Sequence, residues 1–352
     1  MKMIDALVLL ASSVSLHAST VTPVEQTQPI DTDAVYPATK GLSRPEDGVA
    51  LADGRIIVAD QRHGLLAINA DQSMRPFGHF ADVGYVFSPP NKLAAPNGVS
   101  LEPDGRHLLV ADVFSGALYR VDLKTEATEL VYQHPFGINT AVSDSSGAIW
   151  FTQSTRNPAG PGSQARLFET FDTYATDGAL FRLPPRGSDG SHAAARLVID
   201  GLSFANGIVI DEARGRFYLS ETNADQITAY ALSVKTGTLA HRRVLARILT
   251  PDNIELDVRG RLWVASPVQN AAVVIDPITG KTLAVYRART PESDRIVAEW
   301  TRLGGLHKPR LSLLNPDSWN PMPGTITGII LPPDGASVLL SGLGDALVRL
   351  RD

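Results

Sequence analysis

The stretch PDNIELDVRGRLWVAS, residues 251–266, decides the fold. A polar residue, Asp252, leads into an apolar run. A turn ending in Gly260 follows, then a second apolar run, Leu262-Trp263-Val264-Ala265. The same phrase occurs six times, and its polar position reads Glu46, Asn97, Asn139, Asn206, Asp252 and Thr327. In five copies that residue stands eight before the turn glycine, which is Gly54, Gly105, Gly147, Gly260 or Gly335. Asn206 stands nine before Gly215, through one extra turn residue.

Each copy continues alike. A second run such as Ile56-Ile57-Val58-Ala59 or Ile149-Trp150-Phe151-Thr152 is followed by a third, as at 117–121 and 271–275, and by a fourth, as in Leu130-Val131-Tyr132. The runs are short, rich in β-branched and aromatic residues, and bounded by Gly, Asp and Asn. Four strands per unit at a period of roughly 45 residues predict an all-β, six-bladed propeller of four-stranded antiparallel blades. A β-sandwich is the competing arrangement. The last copy is short of one strand, because the chain stops soon after Arg349-Leu350. Residues 34–37 are expected to supply it and close the ring, since a closed ring leaves few exposed strand edges. Residues 34–352 are read as one propeller domain.

The chain has 352 residues, a formal net charge of −5 and no Cys. Disulfides, thiol nucleophiles and Cys-ligated metals are thereby excluded. Without a basic stripe, no nucleic-acid or membrane partner is expected; a small molecule is. Lys2 followed by the apolar residues 6–10 and then residues 11–18 predicts a signal peptide over residues 1–18. That implies a periplasmic or secreted protein, and otherwise a cytoplasmic one. Residues 19–33, rich in Thr, Gln, Pro and Asp, read as a flexible arm.

Two insertions break the spacing. One, 155–178, carries Phe168, Phe171 and Tyr174; the other, 287–324, carries Trp300, His307 and Trp319. Long loops on a rigid scaffold bear binding function, although these aromatics could instead pack over a blade edge.

In a propeller the first strand of each blade lines the central channel, so the repeated polar position converges on one spot. Glu46 and Asp252 offer carboxylates, and Asn139 and Asn206 offer carbonyl oxygens, which suits a hard divalent cation such as Ca²⁺. With no His or Cys in the column, Zn²⁺ is disfavoured. Asn and Asp also start strands simply because they make turns well. Asn97 and Thr327 are weaker members that could face substrate or cap a strand.

Pro45-Glu46-Asp47-Gly48, Phe204-Ala205-Asn206-Gly207-Ile208 and Pro251-Asp252-Asn253-Ile254, with Gly260-Arg261-Leu262-Trp263-Val264-Ala265, resemble the SMP-30/gluconolactonase superfamily. With Trp150-Phe151-Thr152-Gln153-Ser154 they lean towards its strictosidine synthase-like and paraoxonase-like branch. The resemblance implies a six-bladed propeller with a catalytic divalent cation, usually Ca²⁺, in its tunnel. The implied ligands are Glu46, Asn139, Asn206 and Asp252, with Asn253 matching a further position of the paraoxonase-like pattern. A neighbouring strand residue points the other way, so Asn253 needs a local bend. That pattern has a His where this chain has Asn97, which removes its His relay here. Strictosidine synthases use a late Glu as acid/base; Glu292 and Glu299 sit in an insertion and match poorly, so alkaloid synthesis is not expected.

The expected chemistry is hydrolysis of a lactone or ester. The cation polarises the carbonyl, and Asp252 or a nearby His takes the proton of the attacking water. His134 is the nearest in sequence to the column, with His63 and His307 as others. Asn97 would hydrogen-bond substrate. No Gly-x-Ser-x-Gly elbow, P-loop or dinucleotide fingerprint is present. The alternatives are a metal-assisted isomerase or lyase on the same fold, and a non-catalytic binding propeller.

Overall fold

The six turn glycines all have left-handed backbone: φ is 86° at Gly54, 65° at Gly105, 79° at Gly147, 60° at Gly215, 72° at Gly260 and 73° at Gly335. A side chain there would crowd its own backbone, which is why glycine recurs at that point. In blades 3 and 5 the turn is fixed further by Asp144 and Asp257. Each accepts from turn amides and from the indole of the following strand, at 2.9 Å from Trp150 Nε1 and 2.9 Å from Trp263 Nε1.

The computed structural model describes residues 27–335 and 337–350. Its strands form six sheets. Blade 1 runs Gly48–Ala50, Ile56–Asp60, Gly64–Ile68, Met74–Phe77. Blade 2 runs Pro96–Leu101, His107–Asp112, Ala117–Asp122, Thr128–Gln133. Blade 3 is Ala141–Ser143, Ile149–Gln153, Gly178–Leu183, Arg196–Leu202, and blade 4 is Ala205–Asp211, Arg216–Glu221, Gln226–Ser233, Thr238–Arg247. Blade 5 is Ile254–Leu256, Leu262–Ser266, Ala271–Ile275, Thr282–Arg287, and blade 6 begins Ile326–Ile330, Leu339–Gly342, Leu347–Arg349. Within each of these runs successive strands are antiparallel.

The first strands touch in turn, blade 1 to 2, 2 to 3 and so on to 6 and back to 1. They form the inner ring of a six-bladed propeller. Both faces of each blade are covered by its neighbours, so second and third strands are buried along nearly their whole length rather than alternately. Six apolar clusters fill the six interfaces. Ile57, Leu65 and Phe77 meet Leu108 and Val110 between blades 1 and 2, for example, and Ile56, Val58 and Ile68 meet Ile330 and Leu339 between blades 1 and 6. The outer edge of blade 6 is Val35–Tyr36, antiparallel to Leu347–Arg349.

The N-terminal arm departs from expectation. Thr27–Pro29 is an outer fifth strand on blade 5, parallel to Thr282–Arg287, and Ile30 is buried in the cluster between blades 5 and 6. An unpaired outer edge and an apolar Ile30 outweigh the polar composition that suggested flexibility. The residues read as a signal peptide and the start of the arm lie outside the described residues. The insertions hold helices that strand-period reading left out: Ser163–Thr173 in the first, Pro291–Gly305 and Pro316–Trp319 in the second. The longest starts with Thr290 as N-cap, Pro291 in its first turn and a Thr290/Ser293 capping box. No helix of the described residues is long and apolar enough to cross a membrane.

The inner ring encloses a channel. At its far end a cavity of about 430 Å³ is lined by Ser100, Ser143, Leu256 and Glu255. Burial there pushes the Glu255 carboxyl up to about 8. Folding therefore holds a proton that the unfolded chain releases near 4.5, and this carboxyl lowers stability as pH rises from there to about 8. Glu255→Gln is expected to raise Tm at pH 8.5 and to give no gain at pH 4.5, read by thermal denaturation. Gly147→Ala is expected to destabilise by about 1 kcal/mol through its positive φ alone, because nothing crowds a Cβ there.

Candidate metal centre and cavity

Where the inner strands converge, backbone approaches backbone. A Cβ at Gly98 would lie 2.8 Å from Thr140 Cα, and one at Gly207 would lie 2.7 Å from Asn253 Cα. The glycine after Asn97 and after Asn206 is thus needed for close approach, not for a turn. The strand register shifts at these points, between Pro96 and Val99, Ala205 and Ile208, and Ile326 and Gly328. Such bulges re-aim side chains. Glu46, Asn97, Asn139, Asn206, Asp252 and Thr327 all line one cavity of about 390 Å³. The residues two before Glu46, Asn206 and Asp252 are Arg44, Phe204 and Thr250, with φ of 57°, 57° and 42°. All three also line the cavity.

Hydroxyl groups orient the carboxamides. Asn139 Nδ2 donates to Ser154 Oγ at 3.0 Å, and Asn206 Nδ2 donates to Thr222 Oγ1 at 3.1 Å. Each amide nitrogen is thereby held to the wall, which turns the carbonyl oxygen the other way. Asn206 Oδ1 and Asp252 Oδ1 are buried with no hydrogen-bond partner. Leaving such atoms unmet costs about 1–3 kcal/mol each, so they mark where something binds. Two carboxylates and two carboxamide oxygens form a hard-oxygen donor set suited to Ca²⁺.

The electrostatics agree. Burial raises the Glu46 carboxyl to about 7, against the pull of Arg44 and the Asn253 amide. Burial and then the neighbouring Glu46 hold Asp252 well above the usual carboxylate range. Two acids in one low-dielectric floor oppose each other's ionisation, and a divalent cation would relieve both. Arg44 does so in part from the rim, donating to Asn97 Oδ1 at 2.8 Å and to Pro96 O at 3.2 Å. Arg44 was not singled out from sequence, although its place two before Glu46 was a signal.

The other expected site residues sit differently. Asn253 is buried outside the cavity lining. Its Nδ2 donates to Glu46 Oε2 at 3.1 Å, and its Oδ1 accepts from Thr140 Oγ1 at 3.1 Å. It positions Glu46, and the one Thr140 hydroxyl lies 3.1 Å from both its Oδ1 and Asn139 Oδ1. His134 is not at the centre. Its Nε2 lies 3.0 Å from Gln153 Oε1, and its ring packs edge-on against Phe151 and Phe181 at 5.2 and 4.7 Å. Closeness to Asn139 in sequence misled, because an aromatic pocket in blade 3 takes the imidazole, and burial lowers its pKa. His63 pairs with Asp60 and His307 packs edge-on against Tyr174; neither lines the cavity. Thr327 Oγ1 donates to Glu46 O at 3.0 Å, which ties blade 6 to blade 1. Away from the channel, Glu102, Asp104 and His107 bring ligand atoms together. Arg120 already pairs with both carboxylates there, so that cluster is an ion-pair network.

The two insertions join above the cavity. Asp172 Oδ1 accepts from the backbone N of Arg310 and of Leu311, each at 2.6 Å. The buried Arg310 guanidinium lies 4.4 Å from the Trp300 ring centre and 4.9 Å from that of Tyr174. Phe168, Phe171 and Trp319 line the cavity, while Trp300 is fully buried beneath them.

Residues 132–296 match the SMP-30/gluconolactonase/LRE-like region, and the chain is related to that family. It is 24% identical over 212 residues to the gluconolactonase of Zymomonas mobilis, covering 55% of this chain and 54% of that protein. The chain spans about half the length of the curated relatives it matches. In structure it is similar to a gluconolactonase from Xanthomonas campestris, with a TM-score of 0.60 at 20% identity over 94% of this chain and 98% of that one. It is equally similar to regucalcin, a calcium-binding protein, from Agrobacterium tumefaciens, with a TM-score of 0.60 at 14% identity over 93% and 95%. At these identities the structural likeness concerns the fold.

Removing an orienting hydroxyl by Thr222→Val or Ser154→Ala is expected to weaken divalent-cation binding about 10–100-fold with the fold retained, measured by calorimetry. Because cation and proton compete for Glu46, binding should release protons, and apparent affinity should fall as pH drops below about 7.

Proposed function

We propose that this relative of the SMP-30/gluconolactonase-like proteins hydrolyses a lactone or ester with the help of one divalent cation, Ca²⁺, held by Glu46, Asn139, Asn206 and Asp252. The observation that carries this reading is the pair of buried, unpartnered oxygens, Asn206 Oδ1 and Asp252 Oδ1, in the floor of a cavity sized for a small molecule. When bound, the cation would polarise the substrate carbonyl and balance the charge developing on its oxygen.

The chain's own groups do the rest. Glu46 and Asp252 supply the negative charge of the floor, and Asn253 keeps Glu46 in place. Asp252 takes the proton of the attacking water and passes it to the leaving oxygen, since it is a carboxylate of the cavity lining and no His lines the cavity among the described residues. Asn97 has its Oδ1 occupied by Arg44, and its amide, which also favours the charged form of Glu46, is the group placed to donate to a substrate oxygen. The apolar walls lower the local dielectric, which strengthens each of these interactions. An open cavity over the donor cluster is the reason to prefer an enzyme to a propeller that only presents a flat face to other proteins.

Lactone hydrolysis is expected to vanish on chelation with EDTA and to return with Ca²⁺ more fully than with Mg²⁺, Mn²⁺ or Zn²⁺. Glu46→Gln and Asp252→Asn should each lower kcat/KM by about 10²–10³ while circular dichroism stays unchanged. Unchanged turnover in either variant would remove that residue from the mechanism.

A further inference from the structure

Above the polar floor, the cavity is apolar on nearly every side. Phe168, Leu311, Leu314, Trp319 and Leu343 are only half buried, and their remaining apolar surface faces the cavity. They come from three separate segments: the helix Ser163–Thr173, the stretch 311–319, and a blade 6 turn. Phe171, Phe204 and Val268 close the wall behind them. This surface is held in place. The Asp172 bonds to Arg310 and Leu311 and the Arg310–Trp300 stack lock the two insertions together. A built apolar enclosure left open in a folded protein marks a place for apolar matter.

Most polar groups between floor and rim are already engaged, Gln164 at the mouth being the exception. Thr222, Thr325 and Thr327 donate their hydroxyls to the carbonyls of Pro251, Pro267 and Glu46 at 2.8, 2.9 and 3.0 Å. Thr250 Oγ1 accepts from Val268 N, and Arg44 is bonded to Asn97 and Pro96. A lactone with a hydroxyl on most carbons would bury more hydroxyls than Asn97, Gln164 and Thr250 can meet, at the cost of lost hydration.

Resting on the hydrolase reading of this same site, we propose that the substrate is a lactone or ester with an apolar alkyl or aryl body. Its carbonyl lies at the Glu46/Asp252 floor and its body lies against Phe168, Leu314 and Trp319. A polyhydroxylated sugar lactone is the disfavoured substrate. This goes against the simplest transfer of specificity from the gluconolactonase relatives, and it depends only on the wall residues of this chain.

The test uses the full chain with Ca²⁺ and a series of γ- and δ-lactones carrying unbranched alkyl groups from methyl to octyl, with glucono-1,5-lactone as the polar comparison. The matching alkyl lactams, which resist hydrolysis, are titrated by calorimetry. Expected is a rise in kcat/KM of about threefold per added methylene over the first four or five carbons, with glucono-1,5-lactone at least about 100-fold below the best alkyl lactone. Trp319→Gln and, separately, Leu314→Asn should flatten that slope; two variants guard against one misfolding. Hydrolysis that is flat or falling with chain length, or that favours glucono-1,5-lactone, would overturn the substrate class and leave the hydrolase reading standing. Lactams that bind more tightly with length, with no lactone turned over, would support the apolar substrate class and overturn hydrolysis. Lactam affinity independent of length would overturn the proposal whatever the turnover.

Discussion

Close backbone approach at the propeller axis is the constraint on which the rest depends. Six inner strands have to meet around one channel, and they meet through a belt of cross-blade hydrogen bonds. Gly98 N donates to Asn139 O at 2.9 Å, Asn253 N to Thr327 O at 3.1 Å, and Thr152 Oγ1 to Asn206 O at 2.8 Å. Any side chain at Gly98 or Gly207 would push the blades apart. The register shifts that accommodate this approach turn Asn97, Asn206 and Thr327 into the channel mouth. Ring closure and construction of the floor are therefore one geometric event.

That geometry gathers charge at a cost. Glu46 and Asp252 are both buried, and each raises the difficulty of ionising the other. The left-handed conformations of Arg44, Phe204 and Thr250 add backbone strain of about 1–2 kcal/mol apiece. The six interblade clusters carry this cost, since each buries large apolar side chains from two blades. A cation at the floor would return part of it, which couples ligand binding to stability.

Labour is divided between scaffold and insertions. The repeats present the oxygen donors and their supports, Ser154, Thr222, Thr140 and Asn253. The insertions supply the walls. They are joined to one another through Asp172, Arg310, Trp300 and Tyr174, and anchored to the ring through Phe171 against Phe204 and through Asn223 and Asn270, which donate to Thr170 O and Trp319 O. On such a scaffold the floor defines the chemistry and the walls choose what reaches it.

The sequence by itself determined the blade count, the turn glycines and the column of six polar residues. Those features are periodic, and a repeat can be read without knowing what lies beside it. It also placed the aromatic insertions, without saying whether they face a cavity or a blade edge. Tertiary structure decided that Phe168 and Trp319 line the cavity while Trp300 lies beneath it. It moved His134 into an aromatic pocket, turned Asn253 into a support of Glu46, and brought in Arg44. Each of these outcomes depends on a partner more than ten residues away: Gln153 for His134, Glu46 for Asn253, Asn97 for Arg44. Local pattern reports which face a residue belongs to, whereas the atom it meets there is set by other blades and becomes definite only when the ring closes.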